Sequence, residues 1–142
     1  MTRMTTKQAQ EQIASRCIIP GSLGVWERYF IQLVSAWGQM PEAIRALHLI
    51  FGADNGIVKA GHIGYSADIT KLMARVMMKG GTAATRYAIF NQIPYEVIDV
   101  GINSESPVGR DAKFQKGSDN FLEGPAMSQE AFDYVWQQAR DV

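Results

Sequence analysis

Two apolar runs that lack polar alternation constrain the fold of this chain more than any other feature. The first lies in residues 44–53, and the second is "YEVIDVGI", residues 95–102. Strands with one wet face alternate apolar and polar side chains, whereas strands covered by helices on both faces are apolar throughout. We therefore expect two buried strands of a parallel sheet.

Helical spacing separates and flanks these strands. Apolar residues recur three and four positions apart in residues 26–37 and 69–77, an Ala-rich helix is expected over 82–91, and a last helix over 124–142. Ser128 is the expected N-cap of that last helix, and its expected buried face is Phe132, Val135, Trp136 and Ala139.

This order of elements predicts an α/β fold, because parallel strands need helical crossovers. We expect a partial parallel sheet flanked by helices. An N-terminal helical segment over 1–40 precedes the α/β domain, which spans 41–142.

Two strands are fewer than a sheet usually has, which is about four to six. Either a third strand lies within residues 103–122, or another chain or sequence absent here completes the sheet. Because exposed edges favour pairing with other chains, we expect self-association through the open sheet edge or through the helix face with Trp26 and Trp37.

Charge and composition exclude several classes of partner. The 14 basic and 14 acidic residues balance and are scattered, so neither nucleic acid nor a membrane surface is an expected partner. One cysteine, Cys17, and two histidines do not form a set with metal-ligand spacing, so we expect no metal and no cofactor. With no apolar stretch near the roughly 20 residues of a membrane span, we expect a cytoplasmic protein.

An acid and a glycine mark the end of each apolar run, in "FGADNG" and "IDVGIN". Ligands of parallel sheets bind outside the carboxyl ends of the strands, so Asp54, Asn55 and Gly56 are candidate ligand contacts. The alternative is a plain turn, since Asp, Asn and Gly are common turn residues. Gly80 and Gly81 precede a helix N-terminus, which can hold an anion, although a simple helix–helix turn also explains them.

An ordered set of motifs carries a family resemblance over about residues 10–142. The segments are "PGSLG" (20–24), "GADNGIVKAG" (52–61), "KGGTAA" (79–84), "IDVGI" (98–102) and "KGSDNFLEGPAMSQEA" (116–131). Together they resemble the N-terminal portion of the nicotinate-nucleotide–dimethylbenzimidazole phosphoribosyltransferase family.

The resemblance implies a Rossmann-like parallel sheet, of which this sequence would contain a part. It also implies an enzyme of cobalamin lower-ligand synthesis, usually a homodimer. A ring nitrogen of a benzimidazole would attack C1′ of nicotinate mononucleotide, nicotinate would leave with inversion, and α-ribazole phosphate would form. The family's general-base glutamate and phosphate-binding segments lie in a C-terminal half that this sequence does not contain. We therefore assign no catalytic residue.

The resemblance also implies a slot for the base, built from residues 61–73. Tyr65 matches the family's aromatic residue, whereas Ile63 and Leu72 stand where the family usually has Ser and Gln, and Asn55 where it has His. Losing polar pocket groups costs about 0.5–1.5 kcal/mol per hydrogen bond.

Two hypotheses of function follow. The chain is a truncated or split phosphoribosyltransferase, inactive alone and completed by a separate C-terminal chain, with a benzimidazole-like base and nicotinate mononucleotide as small-molecule substrates. The alternative is a non-catalytic module of the same family that binds a small molecule or a protein.

Overall fold

The computed structural model describes residues 4–16, 19, 21–43, 45–61, 64, 66 and 68–142, without the side chains of 59 and 60. Cys17, Ile63 and Tyr65 lie outside the described residues. The helices and strands, in chain order, are α1 (Thr6–Ala14), α2 (Val25–Trp37), β1 (His48–Ala53), a 3₁₀ helix (Gly56–Ala60), α3 (Asp68–Met78), α4 (Ala83–Phe90), β2 (Tyr95–Gly101), β3 (Arg110–Asp111) and α5 (Gln129–Arg140).

The first of two compact units, Met1–Arg45, contains α1 and α2 packed against each other. The side chain of Thr5 caps α1 in a reciprocal capping box, and α2 ends at Gly38 in the left-handed conformation, with φ 76°. Val34 is the only fully buried residue of α2, and Trp26 is 71% exposed. The apolar stripe of α2 is therefore largely uncovered by the described residues.

The second unit, Ala46–Val142, contains a parallel sheet with the order β1-β2-β3. Of the two alternatives for the sheet, a third strand within residues 103–122 exists, as the two-residue strand β3. β1 begins at His48, later than the apolar run predicts. Its partner strand begins at Tyr95, and the pairing does not extend further back because Pro94 has no N–H to donate to β1. The first hydrogen bond between the two strands runs from the His48 N–H to the Pro94 carbonyl (2.9 Å).

The core of this unit lies between the sheet and α3. Buried Ala74 of α3 packs with Val97 of β2, and Ile50 of β1 and Met77 of α3 pack against them. The expected covering of the sheet by a helix is therefore present on this face. Within the described ranges, no helix is both long and apolar enough to cross a membrane.

Helix α5 begins as predicted and is buried differently from the prediction. The Ser128 hydroxyl accepts from the Ala131 N–H (3.1 Å), which confirms the N-cap. The predicted buried face is wrong, since Phe132 is 47% and Trp136 59% exposed, and Ala131 is the buried residue. The helical period of the sequence identifies an apolar face but cannot tell whether another element covers it. The described residues leave this face of α5 exposed.

Candidate functional site at the strand ends

The ends of β1 and β2 lie side by side at one edge of the sheet, as the motifs predict. Gly52 pairs with Asp99 and Ala53 pairs with Gly101. The register shifts by one residue between these pairs, because β2 has one extra residue there. The acid at the end of each apolar run, Asp54 or Asp99, therefore lies at the same carboxyl edge.

Asp54 is buried and joins three segments of this edge. Its carboxylate accepts from the Asn103 N–H (2.7 Å), its N–H donates to the Gly101 carbonyl (3.0 Å), and its own carbonyl accepts from the Ser118 N–H (2.9 Å). The carboxylate thus orders the loop after β2.

Asp99 is fully buried and is the electrostatic centre of the loop after β2. Oδ1 accepts from the N–H groups of Ile102 (2.7 Å) and Gly101 (3.1 Å). Oδ2 accepts from the Val108 N–H (3.0 Å) and from Lys113 Nζ (3.0 Å). The carboxylate therefore has four donors around it.

These donors decide the protonation state of Asp99. Burial by itself raises the pKa of the carboxyl, but the backbone N–H groups of Ile102 and Val108, the Lys113 ammonium and the Gly101 N–H together outweigh burial. The pKa of Asp99 therefore lies below its ordinary value of 3.8. Asp99 is an ionised structural group and a poor general base.

Lys113 is itself nearly buried, with 10% of its side chain exposed. Besides Asp99, its ammonium donates to the carbonyls of Ile102 (3.1 Å) and Ser104 (3.2 Å). All three ammonium protons therefore have acceptors, and one lysine fixes the loop over residues 102–104.

Gly56 lies where another backbone segment passes very close. A Cβ at this position would stand 2.5 Å from the Ser118 carbonyl oxygen and 2.5 Å from the carbonyl carbon of Asp119. The Gly56 N–H donates to the Ser118 hydroxyl (3.2 Å). The segment that contains Ser118 therefore closes against the turn after β1, and only glycine fits there.

Asn55 is the exposed polar residue of this turn. Its backbone begins the 3₁₀ helix, yet its side chain makes no capping hydrogen bond. Its amide is therefore accessible to a ligand at the sheet edge. Leu72, four residues after the start of α3, is 59% exposed and also accessible.

Gly80 and Gly81 lie at the other end of the sheet. Tyr95, the first residue of β2, donates from its hydroxyl to the carbonyl of Met78 at the end of α3 (3.4 Å). A Cβ on Gly80 would stand 3.4 Å from the same hydroxyl. The structure therefore does not bring the two glycines together with Asp54, Asn55 and Gly56.

The N-terminus of α4 after these glycines is already capped. The Thr82 hydroxyl accepts from the Thr85 N–H, and the Thr85 hydroxyl accepts from the Thr82 N–H (3.1 Å). These bonds use donors that an anion would need.

Three residues that hold the strand ends together were missed at the level of sequence. Asn103 contributes its backbone N–H and Ser118 its hydroxyl. Lys113 contributes its ammonium group from a polar loop. None of the three has a local signal, since even Lys113 is 14 positions from Asp99 in the sequence.

Comparison with known proteins shows the family of the chain. A family model described as "Phosphoribosyltransferase" matches residues 1–142, and the chain belongs to this family. The nicotinate-nucleotide–dimethylbenzimidazole phosphoribosyltransferases of Prosthecochloris aestuarii and Pseudomonas syringae are 32% and 34% identical to it, over 87% and 85% of the chain. The chain spans 36% and 35% of the length of these two relatives.

Solved structures agree in fold. A crystal structure of the enzyme of the same name from Thermus thermophilus matches 96% of the chain with a TM-score of 0.81 and 27% identity. The match covers 42% of that chain. The three-stranded parallel sheet of this chain is therefore part of the larger family fold. This agrees with the motifs, which resemble the N-terminal portion of the family.

Proposed function

We propose that the chain forms part of a nicotinate-nucleotide–dimethylbenzimidazole phosphoribosyltransferase and acts in the cytoplasm together with a polypeptide that supplies the rest of the family's length. The observation that carries this proposal is the parallel pair of strand ends with the Asp54–Gly56 turn, within a chain that matches the family throughout. Alone, the chain is inactive.

The chemistry requires a base that the described strand ends do not offer. In the proposed reaction a bond forms between the azole nitrogen and C1′, the bond from C1′ to nicotinate breaks, and the azole proton passes to a base. Asp99 is buried among four donors, and Asp54 is buried and bonded to the Asn103 N–H. Both carboxylates hold loops, so the base belongs to the completing polypeptide.

The substrates would lie over the turn after β1. The exposed amide of Asn55 and the backbone of Gly56 contact the nucleotide or the base there, and Leu72 with Ile63 and Tyr65 line the slot for the base. Gly80 and Gly81 lie beside the first residue of β2, at the other end of the strands. In this proposal they serve as the turn between α3 and α4. A base with more apolar surface than dimethylbenzimidazole suits Ile63 and Leu72.

The test mixes the full chain with the part of the Thermus thermophilus enzyme beyond the matched segment, produced as a separate polypeptide. With nicotinate mononucleotide and dimethylbenzimidazole, α-ribazole phosphate forms in the mixture and not with either part alone. Asn55→Ala lowers the rate at least about tenfold, since a lost substrate hydrogen bond of this strength is about 1.4 kcal/mol. Asn91→Ala, an exposed site at the end of α4, leaves the rate unchanged. No product in the mixture would refute the proposal.

A second candidate function is a non-catalytic binding module. The observation that favours it is exposed, apolar Leu72 at a position where the resemblance implies a polar pocket residue. Calorimetry of the chain alone with benzimidazoles, phenolic bases and nicotinate mononucleotide distinguishes the two. Tight binding by the chain alone, with no product in the mixture, favours the module.

A further inference from the structure

One peptide unit of the loop after β2 lies between two charged side chains. The carbonyl of Ile102 accepts from Lys113 Nζ (3.1 Å), and the N–H of Asn103 donates to the Asp54 carboxylate (2.7 Å). This carbonyl and this N–H belong to the same planar, trans peptide unit, so they point in opposite directions. The ammonium therefore holds the unit at its oxygen, and the carboxylate holds it at its N–H.

The same lysine also holds the turn to which this peptide unit belongs. Residues 102–104 form a three-residue turn, in which the Ser104 N–H donates to the Ile102 carbonyl (2.8 Å). Lys113 donates to the carbonyls of the first and the last residue of the turn (3.1 Å and 3.2 Å), and Asn103 is the residue between them. The direction of the Asn103 N–H therefore depends on the lysine.

The buried carboxylate of Asp54 depends on this N–H group. The Asn103 N–H is the donor that the described residues provide for it. A buried carboxylate that loses its donor is costly, so loss of this contact would shift the side chain and the backbone that carries it. That backbone leads directly into Asn55 and Gly56, which the proposed function places against the substrate.

The needs of Asp99 alone do not explain why a lysine is buried here. Its carboxylate already accepts from three backbone N–H groups, those of Gly101, Ile102 and Val108. The lost hydration of a buried ion pair can exceed the gain from the pairing, so such a pair is weak evidence of a contribution to stability. The two carbonyl contacts of the Lys113 ammonium, by contrast, define the geometry of the loop.

We propose that Lys113 is a positioning residue of the phosphoribosyl transfer. Its ammonium orients the peptide unit between Ile102 and Asn103, this unit orients Asp54, and Asp54 sets the turn that contacts the substrate. With 10% of its side chain exposed, Lys113 acts through Asp54 rather than on the substrate. The inference rests on the proposed function, since it names what fixes the geometry of that site.

The first test measures product formation by the full chain with the separate Thermus thermophilus polypeptide, at a saturating concentration of the chain. At saturation, a variant that is only less stable still fills the complex, so its rate per complex stays at the wild-type value. Lys113→Ala should lower the rate per complex at least about tenfold, because a displacement of about 1 Å can slow a reaction about a hundredfold. Lys116→Ala, at an exposed lysine of the same loop, leaves the rate unchanged. A wild-type rate per complex for Lys113→Ala overturns the proposal.

A second variant separates the charge of the lysine from the packing of its stem. Lys113→Met keeps most of the stem and removes the ammonium. The proposal predicts the same low rate per complex as for Lys113→Ala, whereas a packing role predicts the wild-type rate. Restoration of the rate by methionine overturns the proposal. Circular dichroism checks that both variants fold.

Amide hydrogen exchange by NMR on the isotopically labelled chain tests the link without any enzyme activity. In the wild type the Asn103 amide should exchange slowly, because its N–H is bonded to a buried carboxylate. In Lys113→Met this amide should exchange at least about tenfold faster, and the Asn55 amide resonance should move. The Asp54 amide, which donates to the Gly101 carbonyl, should stay protected in both proteins.

Two results of the exchange experiment contradict the proposal. Equal protection of the Asn103 amide in the wild type and in Lys113→Met overturns it, because the lysine then does not hold this N–H. Fast exchange of the Asn103 amide in the wild type also overturns it, and this measurement decides the outcome if neither lysine variant folds.

Failure of the inference and failure of the proposed function give different results. Absence of product from the wild-type mixture refutes the proposed function, whatever the amides show. Product from the wild type, together with wild-type rates per complex in both lysine variants, refutes the inference alone. A slow variant whose Asn103 amide keeps its protection also refutes the inference alone, since the lysine then acts by another route.

Discussion

Lys113→Met removes the ammonium group that contacts the buried carboxylate of Asp99. The ion pair is 3.0 Å long, with 10% of the lysine and none of the aspartate side chain exposed. Breaking a buried pair by removing one partner costs about 3–5 kcal/mol, because an uncompensated charge is left in the interior. Methionine keeps most of the volume of the lysine stem, so lost packing contributes little.

The structure places the expected loss at the lower end of that range. Asp99 keeps three backbone N–H donors, from Gly101, Ile102 and Val108, and these continue to stabilise its charge. The expected loss in the free energy of unfolding is about 3 kcal/mol at neutral pH. With a urea dependence of about 2 kcal/mol per M, the midpoint of unfolding falls by about 1.5 M.

The effect depends on pH with a definite sign. Because the pKa of Asp99 is lowered by folding, its contribution to stability is complete above the ordinary value of 3.8 and is lost as the pH falls through the lower folded value. Without Lys113 the folded pKa rises, so acid begins to neutralise Asp99 in the variant first. The difference between wild type and variant should therefore shrink as the pH falls toward 3.

Lys116→Met is the matched control. Lys116 pairs with Glu105 at 2.6 Å, but both side chains are exposed (46% and 91%), and the contact lowers the pKa of Glu105 without burying a charge. Exposed pairs often contribute nothing measurable, so the urea midpoint should stay at the wild-type value. Equal midpoints for the Lys113 and Lys116 variants, or a difference that stays constant from pH 7 to 3, would refute the reasoning.

Two further substitutions test the local contacts. Gly56→Ala should lower the free energy of unfolding by about 2 kcal/mol, because its Cβ would stand 2.5 Å from the Ser118 carbonyl oxygen. Gly64→Ala, whose new Cβ has no atom of the described residues within 4 Å, should unfold at the wild-type urea midpoint. A stable Gly56→Ala variant would contradict the close approach. Ser128→Ala should cost about 1 kcal/mol through the lost cap on the Ala131 N–H, measured by thermal unfolding, and Ser128→Gly should recover most of it.

Local patterns in the sequence placed most of the helices and the two long strands. The apolar runs predicted β1 and β2 and their parallel order, and capping chemistry predicted the start of α5 after Ser128. These features depend on residues within a few positions of each other, where periodicity and propensity act directly. The motifs likewise predicted the family.

The tertiary structure alone decided what the polar residues at the strand ends do. Asp54 meets the Asn103 N–H 49 positions away, and Gly56 meets Ser118 62 positions away. The tertiary structure also decided that Gly80 lies at the other end of the strands from Asp54. It leaves the aromatic face of α5 exposed. The sequence determined which segments are strands and helices, because those preferences are local. Which carboxylates are buried, and which faces lack a cover, depends on contacts between distant residues, which no local pattern encodes.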